Sequence, residues 1–346
     1  MIPSLRNTLA AGALALLALG AGPAAAQPKT LTISWWGFNG DKLEEIVLKP
    51  FRAQCGCALV FETGNNADRL NKIKIRGGRG VDLVYLTDSF SQIGIKDGLF
   101  QPVDRAKIPN MAGIHEIAQA PQGPYGPAYT VGRIGVVYDA AKVKTPITSW
   151  KDLWRPDLRR SLSLPGITTT AGPMAVLVAG LYAGTDAAAD ARPAFAALEK
   201  LKPNVVKNYN TGSELVNLFS TGEIAAAIAQ DFTLAQIQAA VPTARWADLS
   251  DGDFATLNTV NVVKGAAEPD LAHRFIDFIL DPKIQETLAK SGVDAPVAKA
   301  VQLTPQEASR WTYGERMIAS LKRLDYEKLN AAKSDWVDSW SEVFGR

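Results

Sequence analysis

Residues 127–154, PAYTVGRIGVVYDAAKVKTPITSWKDLW, constrain this chain more than any other stretch. The first half is continuously apolar, rich in Tyr, Thr, Val and Ile, and broken only by Gly132, Arg133 and Gly135. That composition suits a strand buried on both faces. A guanidinium in such a strand needs a partner or a ligand, because an unpaired charge in a low-dielectric interior is costly. A binding cleft is therefore expected near Arg133, with pairing to Asp231 or Asp88 as the purely structural alternative.

Before this run the chain alternates. Residues 31–36 (LTISWW) read as a strand ending in a Gly-Phe-Asn-Gly turn, and Asp41 caps a helix whose end Pro50 marks. Strands at 58–62 and 81–86 follow, with a short helix at 66–75 between them. Strand, helix, strand, helix, strand is the doubly wound pattern, in which a ligand lies beyond the carboxyl ends of the strands. Those ends are 36–39, 63–66 and 87–89. A second set follows, with strands at 161–164, 205–209 and 224–229 and helices at 172–182, 191–201 and 212–220; the third strand empties into Gln230-Asp231. Residues 254–263 form another long β run, expected to return to the first set. The aromatic stripe Tyr326, Leu329, Trp336, Trp340 and Phe344 predicts a C-terminal helix docked on the protein's own core. The fold class is thus α/β with two lobes, each a mainly parallel sheet flanked by helices, joined by two crossover strands. The expected division is lobe 1 at 27–130 and 258–300, lobe 2 at 131–257, and helices at 301–346 packing across both.

The 346 residues, 47% apolar and 21% charged, suffice for two cores. Residues 1–26 carry Arg6, an apolar run from Leu9 to Gly22 and an Ala24-Ala25-Ala26 exit, which predicts a secretory signal peptide and an exported product. A formal charge of +2 with no Lys/Arg block gives no footprint for nucleic acid or an anionic membrane. The only cysteines, Cys55 and Cys57, read either as a local bridge or, on the sharper reading, as a catalytic thiol at Cys55. No cofactor, metal or enzyme motif is found, and a monomer is expected.

LTISWW, VDLVYLTDS, PAYTVGRIGVVYDAAKV, ITSWKDLWRPDLRRSLSL and AHRFIDFILDPKIQETLA, in this order, resemble the solute-binding proteins of ABC importers in the spermidine/putrescine-binding family. The resemblance implies a bacterial periplasmic protein that closes on a small solute by hinge motion and delivers it to an inner-membrane permease. It places Trp36 as an aromatic wall and Asp88-Ser89 in a ligand loop. It also puts Asn258 where polyamine binders carry an acid, and finds no carboxylate in residues 165–170. Most of a polyamine cage is therefore missing.

The remaining groups suit a zwitterion better than a diamine. The expected ligand is a γ-aminobutyrate-like amino acid or, by family, a polyamine. Its ammonium is assigned to Asp231 against Trp36, and its carboxylate to Arg133 or the Thr168-Thr169-Thr170 turn. Asn39, Asp88, Ser89, Gln230 and Asn258 complete the expected site. Helix capping by Asp231 or by the three threonines is the structural alternative for each. Rival functions are an enzyme using Cys55 and a ferric-ion carrier; the carrier wants paired tyrosines, whereas Tyr209 stands alone.

Overall fold

A computed structural model describes residues 28–37 and 39–345, so the signal-peptide expectation lies outside the described residues. Strands β1 (Thr30–Trp35), β2 (Ala58–Thr63) and β3 (Leu83–Thr87) pair in parallel in the order β2-β1-β3, as the alternation predicts. Helices α1 (Asn66–Ile75) and α2 (Asp88–Lys96) follow β2 and β3. One expectation fails between β1 and β2. Pro50 does not end the helix; the run Gly40–Leu43 continues through a π-turn, Glu44–Leu48, into Lys49–Cys55. A proline lacks the N–H of an interior turn, and a π-turn just before it absorbs the missing bond.

The long apolar run that carries Arg133 is β4 (Ala128–Asp139), and the return run is β9 (Phe254–Val262). They pair antiparallel, and each also joins a different neighbour: β9 runs along β3, and β4 along β7 (Ala226–Gln230). Beyond β7 lie β5 (Leu162–Pro165) and β6 (Val205–Tyr209), both parallel, so the sheet order is β2-β1-β3-β9-β4-β7-β5-β6. Short β8 (Ala244–Trp246), not foreseen, pairs with β4. Helices α3 (Gly172–Ala183), α4 (Arg192–Leu201), α5 (Gly212–Ser220) and α6 (Leu234–Ala240) flank this half, and α7 (Pro269–Ile279) and α8 (Pro282–Lys290) flank the other.

Core membership changes at two points. Along β4, Val131 packs with Leu31, Tyr85 and Phe275, whereas Ile134 packs with Leu164, Met174 and Trp336; along β9 the change falls between Phe254 and Ala255. Helix α9 (Tyr326–Phe344) buries Tyr326, Leu329, Trp336, Trp340 and Val343 against the second core. The aromatic stripe is thus spent on the protein's own interior. On its other side α9 touches α2, where Asn330 Nδ2 donates to the Ser89 carbonyl at 2.9 Å.

Candidate functional site

Where β2, β3, β5, β6 and β7 end, the following helices begin, and a cavity of about 500 Å³ opens between these ends. One wall is Asn65, Asn66 and Ala67 at the start of α1, with Phe90 in the first turn of α2. The facing wall is Thr168–Ala171 before α3, Tyr209–Gly212 before α5, and Gln230, Phe232 and Thr233 after β7. Position beyond strand ends is where doubly wound sheets place ligands. Among the described residues, no Asp, Glu, Lys, Arg or His side chain lines it. The wall is built of amides, hydroxyls, aromatic rings and the positive ends of helices.

The turn before α3 holds itself: Thr169 Oγ1 donates to the Gly166 carbonyl at 2.8 Å and accepts from the Gly172 N–H at 3.0 Å. This hydroxyl is committed to capping, while Thr168 and Thr170 line the cleft beside it. Asn65 Oδ1 caps α1 through the Asp68 N–H at 2.9 Å, and Thr211 Oγ1 caps α5 through the Glu214 N–H at 3.1 Å. Phe90 and Phe232 line opposite walls. Phe232 is 57% exposed, the largest exposure of any aromatic side chain among the described residues.

The cleft gathers Thr168, Thr169, Thr170 and Gln230 from the expected site. The charged candidates lie elsewhere. Arg133 Nη1 donates to Asp253 Oδ2 at 3.1 Å, and its guanidinium carbon lies 4.8 Å from the centre of the Trp246 ring. The pairing alternative therefore describes Arg133 better than a ligand role, but the partner is neither Asp231 nor Asp88. The glycines beside it explain the geometry. A Cβ on Gly135 falls 2.5 Å from both Asp253 Oδ1 and the Trp246 ring, and one on Gly132 falls 2.8 Å from Asp231 Oδ1. Only glycine admits these side chains against the strand.

Asp231 accepts from the Thr312 hydroxyl and the Arg133 backbone N–H, and burial raises its pKa. It ties the strand end to the C-terminal segment and does not face the cavity. Asp88 is 3% exposed and accepts from the Ser89 N–H at 3.0 Å and the Leu257 N–H at 3.2 Å. Burial pushes its carboxyl up to about 7, against those backbone bonds. Such a carboxyl stitches α2 to β9 rather than meeting a solute. Ser89 is half-buried, its hydroxyl 3.2 Å from that of Thr87. Asn258 sits in β9 opposite Thr87 and Thr130, half-buried and off the cavity wall.

Trp36 and Asn39 line a different, much smaller cavity of about 60 Å³ behind β1, with Trp35, Tyr85, Tyr129 and Asp294. Trp36 Nε1 donates to the Tyr129 hydroxyl at 2.8 Å, and Asn39 holds a left-handed conformation with φ 55° at the start of the helical run. Burial pushes the Asp294 carboxyl up to about 7. Asn65, Asn66, Phe90, Asn210 and Phe232 are wall residues that charge-based reasoning passed over. Their signal was position alone: 63–66 is one of the strand ends at which a ligand is expected.

Two rival chemistries meet obstacles of geometry. Cys55 is bonded to Cys57, so no free thiol is present there. Tyr209 donates its hydroxyl to the Ile228 carbonyl at 2.9 Å, and burial raises its pKa, so the phenolate a ferric ion prefers is disfavoured.

The family model of bacterial extracellular solute-binding proteins matches residues 79–318. The chain is 26% identical over 339 residues to the spermidine/putrescine-binding periplasmic protein of Salmonella typhimurium, covering 96% of this chain and 92% of that one. It is 26% identical over 294 residues to the putrescine-binding periplasmic protein of Escherichia coli, with 78% of each covered. An ABC transporter structure from Clostridium perfringens superposes with a TM-score of 0.84 at 39% identity, over 91% of this chain and 99% of that one. The spermidine/putrescine substrate-binding protein of Streptococcus pneumoniae, with a TM-score of 0.74 at 19% identity over 92% and 100%, shares the fold. The Salmonella typhimurium and Escherichia coli relatives are periplasmic binding proteins of transport, not enzymes, which sets aside the Cys55 nucleophile. With its mixed sheet and its cleft beyond the strand ends, the chain belongs to the bacterial extracellular solute-binding protein family, as the substrate-binding component of an ABC transporter.

Proposed function

We propose that the cleft between Asn65–Ala67 and Thr168–Ala171 takes a small solute through an anionic head, with γ-aminobutyrate-like amino acids as the leading class, and hands it to the permease. The observation that carries this reading is a wall with no charged side chain and three long helices beginning on it, α1, α3 and α5. Helix starts and free amide and hydroxyl donors favour an oxyanion, while a dication buried there loses solvation with no carboxylate to offset it. Thr168, Thr170 and Gln230 are assigned to the solute. Phe90 and Phe232 are assigned to its methylenes. The division into lobes at 27–130 with 258–300 and at 131–257, closing about β4 and β9, belongs to the same proposal.

A second reading has its own support. The two curated relatives named above are by name putrescine- and spermidine/putrescine-binding proteins, and the small pocket of Trp35, Trp36, Tyr85 and Tyr129 with Asp294 has the rings and carboxylate that an ammonium group prefers. A thermal-shift and calorimetric panel of γ-aminobutyrate, succinate, putrescine and spermidine separates the two. A ligand at a hundred times its Kd adds about 2.7 kcal/mol of stability. Stabilisation by the carboxylates supports the cleft reading; stabilisation by the amines alone removes it.

A further inference from the structure

Arg69, in the second turn of α1, is fully buried at 0% exposure, and no carboxylate pairs with it among the described residues. Its guanidinium carbon lies 3.9 Å from the centre of the Trp36 ring. Nε donates to the Asn65 carbonyl at 3.2 Å and Nη2 to Asn66 Oδ1 at 3.1 Å, while Nη1 has no partner. Burial lowers its pKa to about 10, which leaves it charged at neutral pH; Tyr129 and, after it, Asp68 oppose this through space without pairing with it. A buried charge without a counter-ion is costly, so the fold retains it either against a strong alternative gain or for a ligand that completes it.

Asn66 is the link to the cleft. Its Oδ1 accepts from Arg69 and also from the Thr87 backbone N–H at 3.2 Å, and Asn66 lines the cavity. Two donors on one atom identify that atom as the oxygen, because an amide nitrogen turned to the same place would face both donors with another donor. The free end of Asn66 is therefore the Nδ2 group, a donor. Lys333, whose Nζ lies 6.0 Å from the Phe90 ring centre, adds a second cation near the same wall.

We infer that Arg69 is a specificity-determining positioning residue: an unpaired guanidinium fixed behind the cleft wall, which holds Asn66 with its donors outward and so selects solutes bearing an oxyanion. This rests on the anionic-solute reading and names the groups that would enforce it. Its charge acts through the wall, and the direct contact to solute is made by Asn66.

The test uses the whole mature chain with γ-aminobutyrate, succinate and putrescine as calorimetric probes. In Asn66→Asp the new carboxylate still accepts from Arg69 and Thr87 but turns an acceptor, not a donor, to the cleft. The expected result is a melting temperature equal to or above wild type, because Arg69 gains its counter-ion, with carboxylate affinity lowered roughly tenfold or more, the worth of one charge-assisted hydrogen bond. Arg69→Met, which keeps the stem over Trp36, is expected to lower carboxylate affinity similarly, and Arg69→Lys to restore part of it. Should wild type bind a carboxylate and both Asn66→Asp and Arg69→Met bind it equally well, the role of Arg69 is overturned and the solute class stands. A fall in the melting temperature of Asn66→Asp contradicts the unpaired state of Arg69. Wild type that takes putrescine alone, or none of the three probes, overturns the solute class and this inference together.

Discussion

Two regions of the molecule each lay an arginine on the face of a tryptophan, and they differ in one partner. At the crossover, Arg133 lies against Trp246 and is paired with Asp253, whose side chain is 8% exposed. At the cleft wall, Arg69 lies against Trp36 and has one amide oxygen and one carbonyl but, among the described residues, no carboxylate. A charge with its counter-ion inside the fold is part of the fold's own structure. One that lacks it leaves an unbalanced field, and the neighbouring cleft is where a ligand can balance it.

The largest expected effect breaks the pair at the crossover. Arg133→Met leaves Asp253 buried without its cation and is expected to cost about 3–5 kcal/mol in urea unfolding, with solute affinity for the folded protein little changed. Arg69→Met strands no carboxylate and should cost far less stability. Equal losses for the two variants would erase the contrast. Next in size, Gly135→Ala drives a Cβ into Asp253 and Trp246, for which about 1–3 kcal/mol is expected. Combined with Arg133→Met, its cost should be less than additive, since both disturb one contact.

The contrast extends to carboxyls. Asp88 is buried with N–H groups and a tyrosine hydroxyl for company, and its folded pKa of about 7 lies above the ordinary carboxyl range. Between those values the folded chain holds a proton that the unfolded chain has lost, so this group's contribution to stability is present at low pH and lost as pH rises towards 7. The slope approaches about 1.4 kcal/mol per pH unit from pH 5 to 6. Asp88→Asn should flatten the pH dependence of the melting temperature over that window; an unchanged profile contradicts the assignment. Smallest in stability is Phe232→Ala. With its ring exposed, unfolding should shift by no more than about 0.5 kcal/mol, while affinity for γ-aminobutyrate drops; a large stability loss would show the ring to be structural.

Much of the fold was legible because strands buried on both faces read as unbroken apolar runs: 128–139 and 254–262 stand out in the sequence, and so does the α9 stripe. What escaped was short or compensated. β8 has three residues, Ala-Arg-Trp, and Pro50 reads as a stop only if a π-turn is not allowed for. The candidate cleft was half legible. Strand ends pointed to 63–66 and to the threonine turn, but preference for charged side chains led to Arg133 and Asp231. The partner that claims Arg133 lies 120 residues away, a distance across which sequence carries no pairing signal. Asn66 and Arg69 look ordinary in a polar helix start; only burial shows that one is fixed by the other.

A crystal structure of the mature chain grown with saturating γ-aminobutyrate tests the account most directly. The solute carboxylate is expected within hydrogen-bond reach of Asn66 Nδ2 and the Thr168 or Thr170 hydroxyl, with Phe90 and Phe232 drawn together over the methylenes. Solute density in the small pocket beside Asp294, with the cleft holding only solvent, would contradict it.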